Sequence, residues 1–426
     1  MSRLIGILGI LTILGIAFLM SNNRKAINYK TVGIGFLLQV GLAVFIFKVP
    51  LGEKLFNLIG LFIQKLLVFA TEGAKFVFGP LMSDKFAQIF SNEGPIFALQ
   101  LIASTVFMMI LVNILYHYGI MQRVVAVLGK GMNKLMQVSG AEALSNVASA
   151  FVGQIVAQMM IKPYLANLTR SEMLASMSGS LACISGAIMP IYAKLGIPPV
   201  YLLASSVMAA PGAFVISKIV YPEVGEPQTS KDFKLSVSKR NRQHANVFDA
   251  ISSGASDGMK VAINVVAMIL ALVALVGLID WFLGGFGCFV VKYLHFNLTS
   301  VGMDLNHLSL KMILGKIFSA LAVLMGVPFK DATTVGSLMG TKIVLNEMVA
   351  YMDLAPLKEI LNPKSFLIAS FALCSFGNFG SIAILLGGIG EMAPNQRKNL
   401  ARLGVRALIC GTLTCYMSAS IVGILF

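Results

Sequence analysis

Long apolar stretches separated by short polar segments dominate the chain. Charge-poor runs occur at 4–20, 31–47, 97–116, 173–193, 195–217, 261–279, 365–390 and 407–426. About 20 consecutive apolar residues suffice to cross a bilayer. The pattern therefore predicts an all-α polytopic membrane protein with eight transmembrane helices. Two shorter amphipathic pieces, 55–69 (which carries Gln64 and Lys65) and 312–325, fit helices lying in the membrane interface.

Two further apolar segments are interrupted. Residues 141–164 contain "SNVASAFVGQIVAQMMIKPY" and 331–351 contain "DATTVGSLMGTKIVLNEMVAY". Each opens with an acidic residue, Glu142 or Asp331, and runs through small residues to a Gly-plus-polar pair, Gly153-Gln154 or Gly340-Thr341. Non-helical backbone survives in a bilayer only where protein or a cavity covers it, so each segment is predicted to be a re-entrant hairpin broken at that pair. The runs that follow, "SLACISGAIMPIY" (180–192) and "FALCSFGNFGSIAIL" (371–385), both carry Cys-x-x-Gly in mid-span (Cys183 to Gly186, Cys374 to Gly377). Glycine and polar residues there point to unwound helices. Two hairpin-plus-broken-helix units of opposite orientation are the mark of secondary transporters with a midplane site.

Composition agrees. Of 426 residues, 57% are hydrophobic and 12% charged, about half the charged fraction of an ordinary soluble protein. The net charge of +15 would suit nucleic acid, but its distribution argues for topology instead. Basic residues gather in alternate loops: Arg24, Lys25, Lys30; Arg123, Lys130, Lys134; Lys231, Lys234, Lys239, Arg240, Arg242; and Arg397, Lys398, Arg402, Arg406. Other loops are balanced, as with Asp353, Lys358, Glu359 and Lys364. Under the positive-inside rule the basic set is cytoplasmic and both termini lie outside. The first apolar run exceeds a signal-peptide core and lacks an A-x-A site, so it reads as a retained helix. The cysteines (Cys183, Cys288, Cys374, Cys410, Cys415) show neither metal spacing nor a disulfide framework. The histidines (His117, His244, His295, His307) are scattered, and the sequon Asn297-Leu298-Thr299 reads as coincidence.

The motifs "GSLMGTKIVLNEMVAYMDL" (336–354), "FALCSFGNFGSIAILLGGI" (371–389) and "AFVGQ" leading to "IKPYL" (150–165) resemble those of the concentrative nucleoside transporters. The similarity runs over essentially the whole chain, including "YLLASSVMAAPGAFVISKIVYPE" (201–223). It implies a homotrimer of eight-span protomers with interfacial helices and two opposed hairpins. Nucleosides would be taken up across a bacterial cytoplasmic (inner) membrane on an H⁺ or Na⁺ gradient, by an elevator-type movement, with no organic cofactor. The corresponding division is 1–135 (N-terminal scaffold), 136–222 (first transport unit), 223–259 (basic loop), 260–310 (scaffold) and 311–426 (second transport unit).

The resemblance assigns the ribose side of the site to Glu347, Asn378 and Ser381. A carboxylate accepts from two hydroxyls, and an amide both donates and accepts. Phe376 resembles the aromatic that lies against the base. Lys342 is an alternative partner for Glu347, leaving it as a hairpin-end ion pair. On the base side, Gln154 matches the family pattern. Ile155 and Val156 stand where polar side chains are usual, and Gln158 where proline is common, so base selectivity does not carry over; a more apolar pocket suits purines as well as pyrimidines. At the positions implied for a sodium ion stand Ser149, Val152, Cys183 and Ile184, with a hydroxyl in place of an amide and a thiol in place of a hydroxyl. Hard cations prefer oxygen ligands, which favours H⁺ over Na⁺ and makes Glu347 the proton-coupling candidate. A carrier for another small polar solute shares the repeat argument. A membrane enzyme or channel would call for a catalytic cluster or a polar pore stripe, and the sequence shows neither.

Overall fold

A computed structural model describes residues 2–82, 96–186, 188–229, 245–294 and 305–426. The basic residues Lys231 to Arg242, the sequon at 297–299, His244 and His295 lie outside the described residues. Among those described, every regular element is helical. In chain order the helices of six residues or more are α1 (Ser2–Leu19), α2 (Tyr29–Lys48), α3 (Pro50–Phe78), α4 (Phe97–His117), α5 (Ile120–Met136), α6 (Gly140–Val152), α7 (Gln154–Met160), α8 (Arg170–Ala182), α9 (Met189–Lys194), α10 (Pro199–Val220), α11 (Val247–Leu294), α12 (Leu310–Leu324), α13 (Phe329–Val344), α14 (Glu347–Leu354), α15 (Pro363–Leu373), α16 (Phe379–Met392) and α17 (Arg397–Leu425).

Six of these segments are long and apolar enough to span a membrane: α2, α3 with the turn after it, α4, α10, α11 and α17 with the turn before it. The eight expected spans differ from this in five places, the first being the run 4–20, which as α1 is a shorter apolar helix outside the six. The runs 173–193 and 365–390 are not continuous helices, since α8/α9 and α15/α16 are separated by the segments 183–188 and 374–378. The run 261–279 is only the middle of α11, whose 48 residues reach about 72 Å at 1.5 Å per residue, far more than one bilayer core. The short interfacial helix expected at 55–69 is the central part of α3, 29 residues long. Its buried residues, Gly52, Phe56, Gly60, Leu67, Ala70 and Ala74, form the narrow stripe of an amphipathic helix.

Helix α17 is the centre of the packing, buried over most of its length between α1, α8, α10 and α15. Helix α10 packs on α2, and α4 packs on α11. Small residues allow these close approaches: a Cβ on Gly254 or Gly258 of α11 would meet the α4 backbone at Ile110 (2.7 Å) or Val106 (2.6 Å). Buried polar contacts also join helices, as where Gln39 of α2 donates to Ser418 Oγ of α17 at 2.8 Å.

Both long helices of the first unit begin on a side-chain cap. Ser139 and Glu142 form a capping box on α6, and Thr169 and Glu172 one on α8, each satisfying otherwise orphaned backbone donors. Glu142 also pairs with Lys218 of α10 at 2.7 Å, both side chains being buried. Asp331, at the start of α13, accepts from Ser365 Oγ (2.6 Å) and from the Asn362 N–H (3.0 Å), tying α13 to the start of α15. The acidic residues that open the two segments are thus anchors within the protein.

The first segment breaks where expected. Gly153 has φ +88°, a backbone that favours glycine, and a Cβ there would crowd Ser185 at 3.1 Å. The second does not. Gly340 and Thr341 lie inside α13, and the interruption falls at Leu345-Asn346. Gly340 serves packing: a side chain there would run into Leu314 of α12, and Gly336 likewise admits the backbone of Gly315 and Ser319. Helices α12 and α13 fold back on each other with a bend of 120°.

Candidate substrate and coupling site

The interruptions meet one another. The N–H of Gly186, in the α8/α9 break, donates to Phe151 O beside the α6/α7 break (3.2 Å), and the N–H of Phe376, in the α15/α16 break, donates to Cys183 O (3.3 Å). From α17, the Cys415 thiol donates to Ala182 O (2.9 Å) and to Cys374 O (3.7 Å). Helix ends leave carbonyls and N–H groups without intrahelical partners. Bringing the interruptions together lets each supply partners for the next.

Glu347 occupies the first position of α14, with Asn346 capping that helix through the Val349 N–H (2.9 Å). Asn378 caps α16, its Oδ1 accepting from the Ser381 N–H at 2.8 Å, while its Nδ2 donates to Glu347 Oε2 at 3.1 Å. The cap therefore fixes which way the amide faces. The other carboxylate oxygen, Oε1, accepts from Tyr192 Oη at 2.9 Å. Tyr192 belongs to α9 and stacks at a tilt on Tyr351 of α14, ring centroids 4.7 Å apart. Tyr351 in turn donates to Ser370 O at 2.8 Å. Glu347 is only 6% exposed, and it sits at the N-terminal ends of two helices, α14 and α16, where a negative charge is favoured. Lys342 forms no ion pair with it, so Glu347 is not a hairpin-end ion pair.

Ser381 and Phe376 are buried near Asn378, Phe376 within the α15/α16 break and Ser381 in the first turn of α16. Gln154 follows Gly153 directly and leaves its Oε1 buried without a hydrogen-bond partner, an acceptor free for a ligand. Ile155 is brought elsewhere. It packs into the space left by Gly388 of α16, joining α7 to that helix, and Val156 is half-buried against the core. Gln154 is linked to Glu347 only through the breaks, Gly153 lying against Ser185 in the α8/α9 break and Phe376 of the α15/α16 break bonding to Cys183 O.

Ser149, Val152, Cys183 and Ile184 are all buried around the ends of α6 and α8. The two side chains that could offer a ligand to a cation are already engaged. Ser149 Oγ donates to Ser145 O (2.8 Å) and pairs with Ser180 Oγ (2.9 Å), and Cys183 Sγ donates to Gly179 O (3.2 Å). Beside them Gln158, fully buried, donates through Nε2 to Ser145 Oγ (3.0 Å) and Ser180 Oγ (2.9 Å) and accepts from Ser176 Oγ (2.9 Å). Among the described residues no group of three His, Cys, Asp or Glu side chains could hold a metal ion.

Sequence reasoning missed Tyr192 and this serine–glutamine network. A signal for the network existed: Ser145/Ser149 and Ser176/Ser180 are each four apart, so each pair lies on one helix face. Tyr192 gave none, because its neighbour Glu347 is 155 residues away.

Paired broken helices around a buried polar centre define a carrier of the secondary-transporter class. Residues 201–423 match the family described as Na⁺ dependent nucleoside transporter C-terminus, residues 8–81 its N-terminus, and 98–199 a nucleoside recognition Gate. The chain belongs to this nucleoside transporter family. It is 41% identical over 425 residues to the uncharacterized transporter YutK of Bacillus subtilis, covering 99% of both chains. It is 36% identical over 428 residues to the nucleoside permease NupC of Helicobacter pylori, covering 99% of this chain and 98% of that one. Among solved structures, CNTnw in an inward-facing substrate-bound state is 39% identical and superposes with a TM-score of 0.90, covering 100% of this chain and 98% of CNTnw.

Proposed function

We propose that this protein takes up nucleosides across a bacterial cytoplasmic membrane by symport, with the ribose hydroxyls held by Glu347, Asn378 and Ser381. The observation that carries the reading is the Glu347 carboxylate, buried between two helix N-termini and oriented by Tyr192 and Asn378. Two vicinal hydroxyls can take the lone pairs that these neighbours leave free. Phe376 lies against the base, Gln154 offers its unpaired acceptor to the base edge, and Val156 supplies an apolar wall, while Ile155 braces α7 on α16.

In this reading α6/α7 and α13/α14 are re-entrant hairpins of opposite orientation. The eight spans are α1, α2, α4, α8/α9, α10, α11, α15/α16 and α17, with both termini outside, and α3 and α12 lie at the interface. Residues 136–222 and 311–426 move as the transporting part against a scaffold of 1–135 and 260–310, in an elevator-type cycle within a homotrimer. Competition tests the substrate class: ribonucleosides should block radiolabelled uridine uptake, whereas free nucleobases and free ribose should not. Uptake blocked by a different polar solute and not by nucleosides would favour a carrier for that solute.

The coupling ion is H⁺ in this reading, with Glu347 carrying the proton. The thiol of Cys183, standing where a hard cation would prefer an oxygen ligand, supports this over Na⁺. The family description supports Na⁺. Replacing Na⁺ by choline at constant external pH discriminates: uptake should persist, and its abolition would assign the coupling to Na⁺.

A further inference from the structure

Lys342 has no place in the mechanism above, yet it is the most deeply buried cation of the second unit. It lies in the last turn of α13 with 0% exposure, and its Nζ makes no hydrogen bond among the described residues. Helices α13 and α15 end at Val344 and Leu373, and the negative ends of helices favour a cation. A Cβ on Gly377, in the α15/α16 break, would lie 3.3 Å from Lys342 Nζ, 2.9 Å from Thr412 Oγ1 and 3.3 Å from Ser375 Oγ. These polar atoms therefore converge on a space that only glycine leaves open. Thr412 Oγ1 is likewise buried without a hydrogen-bond partner. The Tyr416 ring presents its face to the ammonium, with its centroid 5.7 Å away, a cation–π distance. Along the chain the nearest carboxylate is Glu347, just across the break.

The first unit has the same plan. Helices α6 and α8 end at Val152 and Ala182, and the residues expected around a coupling ion (Ser149, Val152, Cys183, Ile184) gather at those two ends. Counting back three residues from the last residue of the first helix gives Ser149 in one unit and Thr341 in the other, next to Lys342. The thiol of Cys415 touches both units near the ends of these helices, at Ala182 O, the last residue of α8, and at Cys374 O, one residue past α15.

We propose that Lys342 is a tethered cation. Its ammonium fills, in the second unit, the place at two converging helix C-termini that a small monovalent ion would otherwise take. The second unit then needs no dissolved metal cation, and any alkali-metal ion that couples to transport binds in the first. The inference rests on the family's transport activity but not on which ion drives it.

The test compares Lys342→Ser, which empties the space and leaves an oxygen, with Lys342→Met, which keeps the length without the charge. Thermal unfolding of the purified full-length protein is followed in Li⁺, Na⁺, K⁺ or choline at constant ionic strength. The serine variant should gain a response to one small alkali cation beyond that of wild type, a rise in Tm of about 3 °C between about 1 and 100 mM. Its uptake in proteoliposomes should require that same ion. The methionine variant should be destabilised with no such response. If the serine variant does not survive purification, its accumulation in membranes from cells grown at low and high salt is compared, and rescue by the cation supports the assignment. Serine and methionine variants that match each other and respond to cations as wild type does, or a serine variant lost at both salt levels, would overturn it. The unfolding readout needs no nucleoside, so failure of the substrate assignment leaves it intact.

Discussion

The unit from α6 to α9 and the unit from α13 to α16 share a helix–break–helix plan, twice over in each, and differ in what fills the breaks. In the first, Ser145, Ser149, Ser176, Ser180 and Gln158 bond to one another, a closed network of uncharged groups. In the second, a carboxylate and an ammonium stand on either side of Leu345-Asn346, with Glu347 bonded only to Asn378 and Tyr192 among the described side chains. A fully satisfied neutral network gives rigidity and tolerates burial at little cost. A buried charge is expensive and, in a membrane, marks a site of action. The first unit therefore reads as the stiff wall of the site and the second as its chemical face.

The largest expected effect comes from removing the charge on that face. Glu347→Gln keeps the shape but gives Asn378 Nδ2 and Tyr192 Oη only one acceptor oxygen between them. It also leaves one ribose hydroxyl facing an amide N–H. Losing a charge-assisted pair and stranding a donor costs about 1–3 kcal/mol or more, so ribonucleoside uptake should fall by at least ten- to a hundredfold while the protein still accumulates in the membrane. Uridine and adenosine uptake at wild-type rates by this variant would show that the carboxylate does not meet the sugar.

The two units also differ in how much of them could be read from the chain. The first break was legible at Gly153 because a positive φ, a close approach to Ser185 and the flanking pattern all fall on one residue. In the second, Gly340 offered the same signal for a different cause, the close approach of α12, while the actual break at Leu345-Asn346 carries no glycine. Asparagine caps mark that break and the next: Asn346 for α14 and Asn378 for α16. Glu347, Asn378 and Ser381 were recognisable from their motifs. Tyr192 and the packing of Ile155 on Gly388 were not, because both depend on contacts between segments distant in sequence.

A smaller effect should follow from breaking the wall. Gln158→Leu removes the group that bonds to three serines, leaving Ser180 with only Ser149 and Ser145 with only Ser176. Each buried hydroxyl that loses a partner costs about 1 kcal/mol, and the Tm of the purified protein should drop by several degrees. Nucleoside affinity should change little. A large shift in affinity with an unchanged Tm would place Gln158 on the substrate side instead.

The smallest effect sharpens the division between the units, because Tyr192 belongs to the first and serves the second. Tyr192→Phe keeps the ring against Tyr351 and deletes only the hydroxyl that donates to Glu347 Oε1. One hydrogen bond to a charged acceptor is worth about 1.5–3 kcal/mol, and a ligand hydroxyl can recover part of it. The half-saturation concentration for ribonucleosides should therefore change by about three- to tenfold with the maximal rate nearly intact. The comparison that decides is a nucleoside lacking the 3′-hydroxyl. If Tyr192 orients the carboxylate toward the sugar, wild type should prefer the ribonucleoside over this analogue by more than the variant does. Equal discrimination in the two proteins would make Tyr192 a packing residue and leave Asn378 alone to aim the carboxylate.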